Sequence, residues 1–236
     1  SHLMKYVCCA RNDGRNTTMN IRIVSWLAVL AAVGLFSSGC FDSGGGGGGS
    51  SNQDFGDNDP ARVVALGDSI TQGVCVPAGA PYPSRLAELS GKSVVNQGSC
   101  GERSAGGASR IGGVLNRFKP GYVVLLYGAN DAIFALSGEQ LVNNLRNMCN
   151  AAIANKTVPV LVTCMPMYDS HAFANGRALS YNPLTRDRGK ALGVKVVDLE
   201  KEYGNNRDFL QRDGLHPSDS GTQVIALAVN DRIPKK

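Results

Sequence analysis

The sequence predicts an α/β fold, a three-layer α/β/α sandwich around a five-stranded parallel sheet. Three observations predict it. Five short apolar runs alternate with helix-length segments, the pattern of strands joined by crossover helices. One run, Tyr122 to Tyr127 (YVVLLY), is almost uniformly apolar, as suits a strand covered on both faces. Polar clusters stand directly after several of the runs, where such sheets collect their chemistry.

The elements follow in order. Order is expected to begin near Arg62, with Arg62 to Leu66 (RVVAL) as the first strand, ended by Gly67. Pro81 to Leu89 has helical spacing, and Ser93 to Asn96 is a second strand. A glycine-rich turn leads into a helix ending near Phe118, and Tyr122 to Tyr127 is the third strand. Glu139 to Asn155 repeats Leu141, Leu145, Met148 and Ile153 on a helical period. Val158 to Thr163 is the fourth strand, a helix precedes Gly193, and Val194 to Val197 is the fifth. Ser218 to about Asn230 reads as a closing helix, and no internal repeat is present.

The chain has 236 residues, 43% of them hydrophobic. That is one domain with additional sequence ahead of it. Residues 1–18 read as a cloning scar (Ser1 to Met4) and a non-native leader. Residues 19–40 read as a signal peptide: Met19-Asn20-Ile21-Arg22, then an apolar run from Ile23 to Phe36, too short for a comfortable bilayer span. The run ends in Ser37-Ser38-Gly39-Cys40, which resembles the lipobox of bacterial lipoproteins, although Ser37 stands where Leu is usual. Residues 41–60 form an expected Gly/Ser-rich flexible linker, and residues 61–236 the domain. The expectation is an exported protein, lipid-anchored through Cys40 in the periplasm or at the cell surface.

The formal net charge is +5, with basic residues scattered and no interleaved aromatics, which argues against a nucleic-acid partner. Four cysteines fall in the domain: Cys75, Cys100, Cys149 and Cys164. An even number in an oxidising compartment predicts disulfides, with three pairings open. Cys75 with Cys100 is favoured, since it would tie two neighbouring loops. Cys149 with Cys164 is the second candidate.

Four clusters carry the chemistry: Gly67-Asp68-Ser69 after the first strand, Asn96 to Gly101 at the second, Gly128-Ala129-Asn130-Asp131 after the third, and Asp213-Gly214-Leu215-His216-Pro217 near the C-terminus. A serine hydroxyl needs a base to become a nucleophile, histidine suits that task near neutral pH, and a carboxylate fixes the imidazole tautomer. Outside residues 1–18 only His171 and His216 remain as bases. His216 has Asp213 three residues before it, whereas His171 has only Asp169 nearby. The expected site is Ser69, His216 and Asp213. Backbone N–H groups of Ser69 and Gly101 and the Asn130 side-chain amide are the expected oxyanion donors. Gly98 competes with Gly101 for that role. Asp68 is expected to brace the nucleophile loop, and Asp131 to be structural. Two histidines make no zinc site, and HExxH is absent. Leu86 stands where a P-loop before Gly91-Lys92-Ser93 needs glycine, and neither GxGxxG nor GxSxG occurs. No cofactor is expected.

These four clusters, in this order over about residues 62 to 232, resemble the blocks of the SGNH (GDSL-type) hydrolase family. Two departures stand out: Ile70-Thr71 after the serine, and Cys100 with Glu102-Arg103 around the second-block glycine. The resemblance implies a flavodoxin-like sandwich and a serine esterase acting on carboxylic esters, usually without metal. The absence of an obvious lid insertion favours short acyl chains. Lysophospholipase or acyl-thioesterase activity is the alternative, as is a non-catalytic glycan-binding lipoprotein on the same scaffold.

Overall fold

The computed structural model describes residues 53–76 and 81–235. The leader, signal-peptide and Cys40 readings lie outside the described residues, as does most of the expected linker.

Five parallel strands form one sheet: β1 (Asp59–Gly67), β2 (Ser93–Gly98), β3 (Pro120–Leu126), β4 (Val158–Val162) and β5 (Lys195–Val197), in the order β2-β1-β3-β4-β5. The helices are α1 (Ser69–Gln72), α2 (Tyr82–Ser90), α3 (Ser104–Phe118), α4 (Ala129–Ile133), α5 (Gly138–Ala154), α6 (Ala172–Leu192), α7 (Leu199–Tyr203) and α8 (Asp219–Asn230). On one side α3 packs on α5 and α5 on α6. On the other α2 packs on α8 and α8 on α7. The three expected layers are present.

Burial explains the composition of the strands. Val63 to Leu66 of β1 and Val123 to Leu125 of β3 are wholly buried, because helices cover both faces of the sheet. The edge strand β2 is only partly buried and carries Ser93, Asn96 and Gln97. Leu141, Leu145, Met148 and Ala152 form the inward stripe of α5, whereas Ile153 is half exposed. Ser137 opens that helix with a capping box shared with Gln140.

Order starts earlier than Arg62. Phe55 meets the Tyr122 ring edge-on at 5.4 Å, Asp54 pairs with Lys156 at 2.6 Å, and β1 opens at Asp59. The last residues of the expected linker thus belong to the domain. The composition of that stretch is polar, but its backbone is bonded: the Asp59 N–H donates to the Lys119 carbonyl at 2.9 Å and Lys92 Nζ to the Pro60 carbonyl at 3.0 Å.

Cys149 and Cys164 form no disulfide, which corrects the expected bridge between them. Both are buried free thiols. Cys149 lies in the inward stripe of α5. Cys164 follows β4 and packs against Gly128, where an added Cβ would come within 2.5 Å of its sulfur. Burial pushes the Cys149 thiol up to about 12 and raises that of Cys164 as well, so both behave as inert core residues.

Candidate active site

The sheet order makes β1 the neighbour of both β2 and β3. Chain direction across the sheet reverses there, which opens a crevice at the carboxyl ends of β1 and β3. The Gly67, Gly98 and Gly128 clusters all begin at that rim.

Close packing requires the first glycine. A Cβ on Gly67 would lie 2.1 Å from Thr71 Oγ1 and 2.7 Å from the Leu126 carbonyl. Beyond it Asp68 caps α1, its Oδ1 accepting the Ile70 N–H at 2.9 Å. Ser69 is therefore the first residue of a helical turn, with its N–H free of an intrahelical acceptor. Gly73 ends the turn at φ 86°.

The C-terminal cluster folds back over this turn. His216 Nε2 lies 3.0 Å from Ser69 Oγ, and its Nδ1 lies 2.5 Å from Asp213 Oδ2. Asp213 Oδ1 accepts the Leu215 and His216 N–H groups, each at 3.0 Å. Burial alone would raise the Asp213 carboxyl. The His216 imidazole and the two N–H groups outweigh it and hold the carboxyl down at about 2. Gly214 takes φ 70°, and a Cβ there would strike the Tyr168 carbonyl at 2.1 Å. The Tyr168 N–H in turn donates to the Gly214 carbonyl at 2.8 Å.

His171, the other candidate base, is elsewhere. Its Nδ1 lies 2.8 Å from the Asp213 carbonyl, which also accepts from Ser170 Oγ at 2.9 Å. Asp169 pairs with Arg207 at 2.5 Å. This loop clamps the backbone of Asp213, a task that no spacing in the sequence signals.

The two glycines of the second cluster have different surroundings. Gly98 donates its N–H to Asn96 Oδ1 at 2.9 Å and is wedged against Gln72, 2.1 Å from a hypothetical Cβ. Gly101, at φ 72°, has open space over its α-carbon, and its N–H donates to no acceptor among the described residues. Asn130 lies between the first and second clusters. Its Nδ2 donates to Asp68 Oδ2 at 3.2 Å and to the Glu102 carbonyl at 3.1 Å. The Asn130 amide thus ties the Asp68 side chain to the backbone after Gly101. Asp131 is fully buried and braces the start of α3, accepting the Ser104 N–H at 3.0 Å and its hydroxyl at 2.5 Å. Cys75 and Cys100 are exposed on the neighbouring loops after α1 and β2.

Asp68 sets an electrostatic feature of the site. Burial pushes its carboxyl up to about 7, against the lowering effects of the Ile70 N–H, the His216 imidazole and the Asn130 amide. The unfolded chain releases this proton near 3.8. Between about pH 4 and 7 the folded protein thus holds a proton the unfolded chain has lost, and the contribution of Asp68 to stability falls as pH rises. Asp68→Asn is expected to remove that slope. Urea midpoints taken across the window should move in favour of the variant as pH increases, and parallel wild-type and variant profiles would refute the assignment.

A hydroxyl, an imidazole and a carboxylate in series can perform acyl transfer where N–H donors receive the oxyanion. Comparison with known proteins shows the family. The GDSL-like lipase/acylhydrolase family matches residues 65–224. Esterase TesA of Pseudomonas aeruginosa is 29% identical, over 53% of this chain and 61% of its own. An uncharacterised Bacillus subtilis lipoprotein, YqeF, is 27% identical over 72% of this chain and 88% of its own. The crystal structure of a lipase/acylhydrolase from Enterococcus faecalis superposes with a TM-score of 0.63 at 27% identity, covering 74% of this chain and 98% of its own. The family match takes in the Ser69, Gly101, Asn130 and Asp213–His216 clusters on the fold they require, and the chain belongs to the GDSL-like lipase/acylhydrolase family.

Proposed function

We propose that this chain is a serine esterase that hydrolyses carboxylic esters through an acyl-enzyme on Ser69. The observation that carries the reading is the 3.0 Å approach of His216 Nε2 to Ser69 Oγ, with Asp213 on the far nitrogen. His216 takes the Ser69 proton as Ser69 Oγ attacks the ester carbonyl. The oxyanion rests on the Ser69 and Gly101 N–H groups, joined by the Asn130 amide as it leaves Asp68. His216 then passes its proton to the departing alcohol, and water repeats the sequence on the acyl-enzyme.

Short acyl chains fit best. Ser69, Gly101 and His216 stand on short connections between strands and helices, with no lid-length insertion among the described residues. Anchoring through acylated Cys40 is part of the same reading. It is supported by the sequence before Gly44 and by the name of the Bacillus subtilis relative. Among the described residues no helix is long and apolar enough to cross a membrane. A bridge between Cys75 and Cys100 would staple the loops that carry Ser69 and Gly101, and non-reducing peptide mapping tests it.

A fluorophosphonate probe tests the central claim, because it phosphonylates only a hydroxyl activated by its base. Labelling is expected on Ser69, located by peptide mapping, and suppressed by a short-chain ester. A folded protein that takes up no label would instead be a binding scaffold.

A further inference from the structure

Glu102 directly follows Gly101, and the structure gives it a full set of partners. Its carboxylate receives Arg110 Nε at 2.9 Å and Nη2 at 2.6 Å. The Tyr127 hydroxyl donates to the same carboxylate at 2.7 Å. The Arg110 Nη2 also donates to the Gln97 carbonyl at 2.6 Å and reaches the Gly67 carbonyl at 3.4 Å. Those carbonyls lie at the ends of β2 and β1, the strands from which the Gly101 and Ser69 loops leave. The Glu102 carbonyl accepts the Asn130 amide, and the Glu102 N–H closes a turn onto the Ser99 carbonyl at 3.1 Å. Gly107 is required beneath this cluster, since a Cβ there would lie 2.5 Å from the Tyr127 ring.

The structure assigns Glu102 as a positioning residue that sets the oxyanion donors. Gly101, the residue before it, has φ 72° and nothing packed over it. No side-chain contact of its own holds the Gly101 N–H in place. The carboxylate of the next residue supplies that restraint, locked to Arg110 and Tyr127, while its carbonyl orients the Asn130 amide. One residue thus sets two of the three donors relative to Ser69. Its side chain is 15% exposed and that of Arg110 27%, so the pair is shielded from screening far more than a surface ion pair. The inference rests on the esterase reading, in which Gly101 and Asn130 receive the oxyanion.

The test is steady-state hydrolysis of p-nitrophenyl acetate, normalised to active sites titrated with a phosphonate. Glu102→Ala is expected to lower kcat about 10- to 100-fold, somewhat less than deletion of an oxyanion donor, with KM changed little. Glu102→Gln, which keeps an acceptor for Tyr127, should recover part of the loss. In an Asn130→Ala background the Glu102→Ala penalty should shrink, because the two act on one donor set. Lower thermal stability with wild-type kcat per titrated site would overturn the assignment and leave Glu102 merely structural. Equal penalties in both backgrounds would also overturn it. If Glu102→Ala does not fold, Tyr127→Phe, which removes one donor to the carboxylate, is read by the same criteria. Wild-type protein inert to ester and probe would instead defeat the esterase reading itself.

Discussion

Ser69→Ala is expected to cost on the order of 10⁵- to 10⁶-fold in turnover of p-nitrophenyl acetate, while the protein stays folded. The size of the effect follows from the covalent step. Without Oγ there is no acyl-enzyme, and what remains is oxyanion stabilisation of a direct attack by water. The folding claim follows from what holds the turn. Asp68 caps α1 by accepting the Ile70 N–H, the Gly73 and Val74 N–H groups bond the Ser69 carbonyl, and Ile70 and Thr71 are buried. None of these uses the hydroxyl. Among the described residues the Ser69 side chain bonds His216, and loss of a bond of this kind shifts stability by about 1 kcal/mol. The measurement is initial rate beside circular-dichroism melting. Turnover near the wild-type level would refute the nucleophile, and a collapsed melt would show that the side chain holds the loop instead.

The fold was legible because its signals are long. Fifteen- and seventeen-residue helices such as α3 and α5 give a full helical period, and five apolar runs fix the strands to within a few residues. The short helices α1, α4 and α7 are four or five residues each, less than two turns, so periodicity cannot report them. The candidate pair Ser69 and His216 was legible because one is a hydroxyl directly after a strand and the other an imidazole with a carboxylate three residues before it. The state of Asn130 was not, since the partners of its amide come from 28 and 62 residues away. Glu102 shows the same limit: beside Arg103 and ahead of Arg110 it reads as a solvated charge, and only the approach of Tyr127, 25 residues on, makes it a part-buried anchor. The cysteines show a third. Even number and compartment predict bridges, but Cys149 and Cys164 each fill a place in the core, and a count of residues carries no information about which way a thiol points.

Asp213→Asn isolates the part played by the carboxylate, and a loss of about 10⁴-fold in kcat is expected without loss of fold. The reasoning is one of tautomers. Asp213 spends Oδ1 on two backbone N–H groups and Oδ2 on His216 Nδ1. In the variant the amide oxygen keeps the backbone bonds, since an NH2 group cannot accept them, and the amide nitrogen is left facing Nδ1. That nitrogen must then accept, which moves the ring proton to Nε2 and points it at Ser69 Oγ. The imidazole can no longer take the serine proton, although every atom of the loop keeps its place. Stability provides the independent check. The Asp213 carboxyl is held at about 2, below its ordinary 3.8, so its stabilising contribution is present above the ordinary value and is lost as pH falls through the depressed one. The stability gap between wild type and variant should therefore be widest near neutral pH and close between about pH 4 and 2. Full activity in Asp213→Asn would make the carboxylate a loop brace only, leaving His216 oriented by the rigid backbone that Tyr168, Ser170 and His171 hold behind it.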